Sequence, residues 1–219
     1  METIGKLMVQ SFAVMPFDEN CYVVYDDTRE GVVIDPGGMA DEILSFIRKT
    51  ELSIKAVLNT HGHCDHIGAD DAIRDETKAP LYIHKEDAPM LGDAKLNLSA
   101  FMGFRAIARP AEHLLSEGDE ISFGQSKLEV LHTPGHSKGG VCFVGDGVAF
   151  TGDTLFAGSI GRSDFPGGSE VELIGNIRKR LLVLPDDTKV YAGHGPSSEI
   201  AWEREHNPFL QWWRNAEKI

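Results

Sequence analysis

The segment Thr60-His61-Gly62-His63-Cys64-Asp65-His66 places three imidazoles and a carboxylate within six residues. Neutral imidazole nitrogen and carboxylate oxygen are the donors that zinc and similar ions accept. Buried together without a partner, four such groups would be costly, so their density points to a metal. Three further sites repeat one pattern: an apolar run, a tight turn, then a polar side chain. Leu128–Leu131 leads through Thr133-Pro134-Gly135 to His136, Val148–Phe150 through Thr151-Gly152 to Asp153, and Lys189–Tyr191 through Ala192-Gly193 to His194. Asp153 alone would suit an ordinary turn. Together the chain offers five histidines and two aspartates at strand ends, enough for two ions about 3.5–4 Å apart. His84, His113, His132 and His206 fall outside the pattern and are expected to be ordinary surface or core residues. Cys64 is out of step with the His61/His63 alternation and is expected to be a bystander.

Those side chains need strands to hold them. Leu7–Val14, Cys21–Tyr25, Val32–Ile34, Ile54–Leu58, Leu81–Ile83, Leu128–Leu131, Val141–Val144, Val148–Phe150 and Lys189–Tyr191 read as short strands. Pro36-Gly37-Gly38 is a break. Asp41–Lys49 predicts a helix, apolar at Ile43, Leu44, Phe46 and Ile47, with acids early and bases late as the helix dipole prefers. Gly68–Lys78 predicts another. Glu170–Leu182 predicts a third, with Val171, Leu173, Ile174, Ile177, Leu181 and Leu182 inward and Arg178, Lys179 and Arg180 outward. The tail Asn207–Lys218 carries Phe209, Leu210, Trp212 and Trp213, enough apolar surface to dock a terminal helix. The Met- and Ala-rich stretch Lys85–Arg109, with Met90, Phe101, Met102 and Phe104, suits either a cover over a substrate or plain core packing. No linker divides the chain, so one α/β domain over 1–219 is expected, with mixed sheets and helices outside them.

Composition narrows the function. Lys plus Arg is 21 against Asp plus Glu 34, a net charge of -13, which disfavours nucleic acid and anionic membrane as partners. No apolar run reaches the roughly 18 residues of a membrane span. Met1–Val14 lacks a signal-peptide layout, so a cytoplasmic protein is expected. Cys21, Cys64 and Cys142 have no disulfide spacing and are expected to be free thiols. Oligomeric state is left open.

The His61-x-His63-x-Asp65-His66 segment, followed in order by His136, Asp153 and His194, resembles the signature of the metallo-β-lactamase fold superfamily over nearly the whole chain. The resemblance implies an αβ/βα four-layer sandwich, two mixed β-sheets with helices on the outer faces, and a site at one edge. It implies that His61, His63 and His136 bind a first metal, that Asp65, His66 and His194 bind a second, and that Asp153 bridges them. The run Leu155–Gly168, containing Gly161-Arg162-Ser163-Asp164-Phe165, is similar to the short glyoxalase II-like hydrolases of bacteria. No separate C-terminal glutathione-binding domain is expected.

That resemblance implies a metal-dependent hydrolase acting on a small-molecule thioester, S-lactoylglutathione being the type substrate. Two divalent ions are implied: zinc first, with iron or manganese acceptable to the same donors. A thiolate leaves without obligatory protonation, since a thiol has a pKa near about 8.5, which fits the lack of a separate general acid. Asp65 is the ligand placed to orient the attacking hydroxide or pass a proton. Related thioesterases carry a basic residue at Arg162 to meet an anionic thiol carrier, and an aromatic where this chain has Asp164. Arg162 therefore either binds substrate or pairs with Asp164 or Asp153. Persulfide dioxygenases, which use one iron on two His and one Asp, also resemble this chain around Gly161-Arg162 and Asp164-Phe165 and supply the alternative. Lactonase, β-lactamase and nuclease activities rank below both.

Overall fold

In the computed structural model, residues 1–211 are described. The first sheet grows in chain order from β1 (Glu2–Ile4), β2 (Leu7–Val14), β3 (Glu19–Tyr25) and β4 (Glu30–Ile34) through β5 (Ser53–Leu58), β6 (Leu81–His84) and β7 (His113–Leu115). Its first four strands pair antiparallel through short turns. From β4 onward the pairing is parallel, which requires crossovers. The helix α1 (Ala40–Lys49) supplies one, and α2 (Cys64–Ile67) with α3 (Asp70–Thr77) supply the next.

The second sheet contains β8 (Glu120–Phe123), β9 (Ser126–His132), β10 (Val141–Gly145), β11 (Val148–Gly152), β14 (Lys189–Ala192) and β15 (Ser198–Glu199), in the order β15-β14-β11-β10-β9-β8. The small hairpin β12 (Leu155–Phe156) and β13 (Ser159–Ile160) lies between β11 and α4 (Glu170–Asn176) in the chain. Because β9 and β11 each pair antiparallel with β10, and β11 pairs parallel with β14, strands β9, β11 and β14 all point the same way. Their C-terminal ends therefore share one edge.

Three apolar layers hold the stack. Leu7, Tyr22, Val24, Val32, Ile34 and Leu58 of the first sheet pack on Phe123, Val130, Phe143 and Phe150 of the second. The opposite face of the first sheet, with Cys21, Val23, Val33 and Val57, is covered by Ile43, Ile47 and Ile73 of α1 and α3. The opposite face of the second sheet, with Cys142 and Val190, is covered by Leu173, Ile174, Ile177 and Leu181. This is the expected αβ/βα sandwich. Burial on both faces explains why β3, β4 and β10 read as continuous apolar runs rather than alternating ones.

Two expectations need correction. The Glu170–Leu182 helix is α-helical only to Asn176 and continues as a π-helical turn over Ile177–Leu181. Val171, expected to face inward, is 66% exposed. It sits in the first turn beside the capping Ser169, whose hydroxyl accepts from the Glu172 amide, before the apolar stripe meets the sheet. The helix expected from Gly68 instead begins at Asp70, and a separate turn, α2, starts inside the histidine motif. Residues 208–211 are helical; Leu210 joins the outer cluster of the second sheet and Phe209 is 42% exposed, whereas Trp212, Trp213 and the rest of the expected helix to residue 218 lie outside the described residues. Cys21, Cys64 and Cys142 are free and buried, as expected. Among the described residues no helix is long and apolar enough to cross a membrane.

Candidate metal centre

All seven expected donors meet at the edge where these strands end. His61 and His63 follow β5, and Asp65 and His66 lie in α2. His136 follows β9, Asp153 follows β11 and His194 follows β14. Backbone bonds lock the ends together: Val141 N–H donates to Thr60 O (2.8 Å), Gly193 N–H to Gly152 O (2.8 Å) and Asn20 N–H to Gly193 O (2.7 Å). Space there is short. A Cβ on Gly193 would stand 2.3 Å from Asp153 Oδ1 and 2.8 Å from His66 Cε1, so only glycine fits.

The first position is all nitrogen. His63 Nδ1 lies 2.9 Å from His136 Nε2, which lies 3.2 Å from His61 Nε2. Three nitrogens bound tetrahedrally at about 2.05 Å would stand roughly 3.3 Å apart, close to this spacing. The other ring nitrogens fix the tautomers. His136 Nδ1 donates to Arg162 O at 2.6 Å, and His61 Nδ1 lies 3.1 Å from Thr60 Oγ1, which itself donates to Asp35. Burial, reinforced by the neighbouring imidazoles, holds His61 well below the usual histidine range. Burial and His136 push His63 down to about 3. Both rings are neutral and present lone pairs.

The second position is rich in carboxylate. His194 Nε2 is 3.3 Å from Asp65 Oδ2 and 3.8 Å from Asp153 Oδ1. His66 Nε2 is 3.4 Å from Asp153 Oδ1 and 3.8 Å from Asp65 Oδ2. Asp153 Oδ2 also reaches His136 Nε2 at 3.6 Å, so this carboxylate touches both positions. Desolvation is the largest influence on Asp153 and Asp65 and works against charge, but the imidazoles of His66 and His194, with His136 for Asp153, together outweigh it and hold both carboxyls low. For His66 the balance is reversed: burial opposes charge, and Asp65, Asp153 and Asp35 raise it far above the usual range.

A cation fits this donor set. His66 Nε2 and Asp153 Oδ1 are both buried and neither makes a hydrogen bond, although buried polar atoms ordinarily find a partner. Three groups able to hold an ion, His61/His63/His136, His61/His66/Asp153 and Asp65/His66/His194, together make up the seven expected residues, and a fourth, Glu19/Asp35/His66, lies at the other nitrogen of His66.

Several supporting residues escaped sequence reasoning. Asp35 accepts from Thr60 N–H (2.7 Å), Thr60 Oγ1 (2.6 Å) and His66 Nδ1 (3.0 Å). Its signal was present: an apolar run, Val32–Ile34, followed by Asp35-Pro36-Gly37, the same pattern as the ligands. Asp87 accepts from Gly62 N–H, Ser137 Oγ and Gly139 N–H, tying the two histidine loops together. Glu19 is fully buried beside His66, at 3.7 Å, and burial raises its carboxyl well above the usual range.

A cleft of about 240 Å³ opens over the donors, lined by Phe17, Leu98, Met102, Phe156 and Phe165. Arg162 reaches it, but its guanidinium is bound by both oxygens of Asp164 (2.9 and 2.8 Å) and stacks 4.3 Å over Phe165. Cys64 lines the cleft with a thiol that burial pushes up to about 11, so it is no thiolate nucleophile. His84 stacks on His132, His113 on Tyr82 and His206 on Trp202, none of them among the donors.

Residues 14–194 match the model of the metallo-β-lactamase superfamily. The chain belongs to the metallo-β-lactamase superfamily. Its relatives include a probable metallo-hydrolase, YqgX, of Bacillus subtilis, 40% identical over 200 residues, covering 90% of this chain and 94% of that one. Hydroxyacylglutathione hydrolase GloC of Haemophilus influenzae is 36% identical over 206 residues, covering 92% and 97%. Among solved structures, the BLEG-1 B3 metallo-β-lactamase superimposes with a TM-score of 0.89 at 41% identity, covering 93% and 99%. TTHA1623 in a di-iron-bound form gives 0.81 at 39%, covering 92% and 100%. ETHE1 from Myxococcus xanthus gives 0.79 at 29%, covering 95% and 91%. These likenesses place the chain among metallo-hydrolases of this superfamily.

Proposed function

We propose that the chain is a binuclear thioester hydrolase of the glyoxalase II type, acting on S-lactoylglutathione or a related acyl thioester. The carrying observation is the seven-donor centre, in a chain similar along nearly all its length to a hydroxyacylglutathione hydrolase. His61, His63 and His136 would hold one divalent ion and Asp65, His66 and His194 the other, with Asp153 shared; zinc, iron and manganese all suit these donors. When bound, such a pair supplies Lewis acidity, lowering the pKa of water and offsetting charge that builds on a carbonyl oxygen.

The chain's own residues do the rest. Asp35 and Arg162 O keep His66 and His136 in the tautomers that leave Nε2 free. Asp65 is the more exposed of the two acids, and we assign it to orient the attacking water and accept its proton at Oδ1, leaving Oδ2 toward His66 and His194. Phe17, Leu98, Met102 and Phe165 exclude water around the acyl group. The likeness to a B3 metallo-β-lactamase supports a second reading, opening of a β-lactam amide. An amine leaving group needs a proton that a thiolate does not, and apart from the metal donors the cleft is lined by apolar side chains, Cys64 and Arg162, so the thioester is favoured.

Metal-loaded protein should release free thiol from S-lactoylglutathione without taking up oxygen, followed with a thiol reagent and an oxygen electrode. Oxygen uptake on a persulfide, with one iron per chain, would replace this reading with the dioxygenase alternative. Faster turnover of a β-lactam would replace it with the second.

A further inference from the structure

Asp65 lines two clefts. The first is lined by His63, His136, Asp153 and His194 of the remaining donors. The second, about 290 Å³, starts at the same Asp65 and Cys64 and runs between Val14–Phe17 on one side and Phe104–Ile107 on the other. Phe17 lines both and leans on Phe104, their rings 5.8 Å apart. A molecule reacting at Asp65 can thus lie across Phe17 with one end in each cleft.

The clefts differ in available charge. In the first, Arg162 is already held by Asp164. In the second, Arg105 is the one basic residue, and Asp65, turned toward His66 and His194, is the one acid. Among the described residues Arg105 has no hydrogen-bond or ion-pair partner. By contrast, Arg29, Arg48, Arg109, Arg180 and Arg204 each hold a carboxylate: Glu51, Glu76, Asp75, Glu117 and Asp186. Lys6, Lys49 and Lys95 are other cations without an ion pair, but none of them lines this cleft. One left unpaired among Met15, Phe104 and Ile107, next to a reactive centre, is suited to an anion brought in by a ligand.

We propose that the Arg105 cleft is the anion subsite of this enzyme. It receives the carboxylate or phosphate of an acidic thiol carrier, while the thioester carbonyl sits at Asp65 in the first cleft. Phe104 and Ile107 cover the aliphatic part of the carrier. This assignment rests on the thioester reading above, and it makes Arg105 rather than Arg162 the main determinant of carrier charge.

The test is calorimetry on the metal-loaded protein with thioethers, which bind but cannot be hydrolysed. The probes are S-methylglutathione (carboxylates), S-methyl-coenzyme A (phosphates) and S-methyl-N-acetylcysteamine (neutral). Arg105→Ala should weaken at least one anionic probe about fivefold to tenfold, as an exposed charged contact does. It should spare the neutral probe, and Arg105→Lys should recover most of the loss. Which anionic probe responds tells carboxylate from phosphate. KM for the matching thioester should rise by the same factor with kcat within about twofold, and Arg162→Ala should shift both less. If Arg105→Ala binds both anionic probes like the wild type, if it loses the neutral probe equally, or if neither anionic probe binds the wild type, the subsite is wrong. If the wild type hydrolyses no thioester but Arg105→Ala still loses an anionic probe selectively, the thioester reading fails and the anion subsite stands.

Discussion

The carboxylate of Asp35 stands 3.0 Å from Nδ1 of His66, across the ring from the nitrogen that faces Asp153. Through Thr60 Oγ1 the same carboxylate also reaches His61. One acid thereby orients a donor at each metal position. Its backbone has φ +49°, a left-handed conformation that Asp tolerates better than most residues. Asp35→Asn would turn an amide N–H₂ or a weaker acceptor toward His66 and free the wrong tautomer. We expect metal affinity to fall about 10- to 100-fold, the usual cost of removing such a support. Chelator competition measures it, and unchanged affinity would mean that Asp35 only braces the loop.

Asp153 and Asp65 should behave differently. Asp153 lies within 3.4–3.8 Å of His66, His136 and His194, whereas Asp65 approaches only His66 and His194. Asp153→Ala is expected to lose both ions and nearly all activity, and Asp65→Ala to weaken one ion. Metal content of the two purified variants decides this. Equal and mild losses would contradict the bridging assignment.

Gly193→Ala tests the packing of the centre. The added methyl would meet Asp153 Oδ1 at 2.3 Å, His66 Cε1 at 2.8 Å on a ring held by Asp35, and the Gly152 backbone at 3.1 Å. Metal content and activity should drop at least about tenfold, while the melting temperature of the metal-free chain moves little, since small rearrangements at a site edge cost less than core damage. Retained metal content would show that the strand end can yield.

His84 predicts a pH dependence of stability. Burial, then His132, pushes it down to about 4, and its Nδ1 accepts from the Glu86 amide. Unfolded, it titrates near about 6.5. It is neutral in the fold, so its contribution is complete above pH 6.5 and is lost as pH falls toward 4. His84→Asn keeps an acceptor near Nδ1 and removes the titration. Its urea midpoint should therefore fall less between pH 7 and pH 5 than that of the wild type. Parallel curves would exclude His84 as a source of acid sensitivity.

Much of this arrangement was legible because the candidate donors obey local rules. His136, Asp153 and His194 each follow a short, mainly apolar run and a turn, and β2 spans the expected Leu7–Val14. What the sequence hid is long-range. Asp35 ends a short apolar run just before the Pro36-Gly37-Gly38 break, but its role depends on Thr60 and His66, 25 and 31 residues away. Strand β8 was missed because Glu120–Phe123 is short and follows a charged turn, and it gains its place only by pairing with β9. The choice between a substrate-facing and a paired Arg162 depended on a side-chain conformation that composition does not encode; Asp164, two residues on, takes the guanidinium.

The most direct test of the account is elemental analysis of the wild-type chain purified under metal-replete conditions. Seven donors in two positions sharing Asp153 predict two divalent ions per chain, falling to none with Asp153→Ala. One ion per chain, unchanged by excess metal and retained by Asp153→Ala, would contradict the binuclear centre and the hydrolytic function built on it.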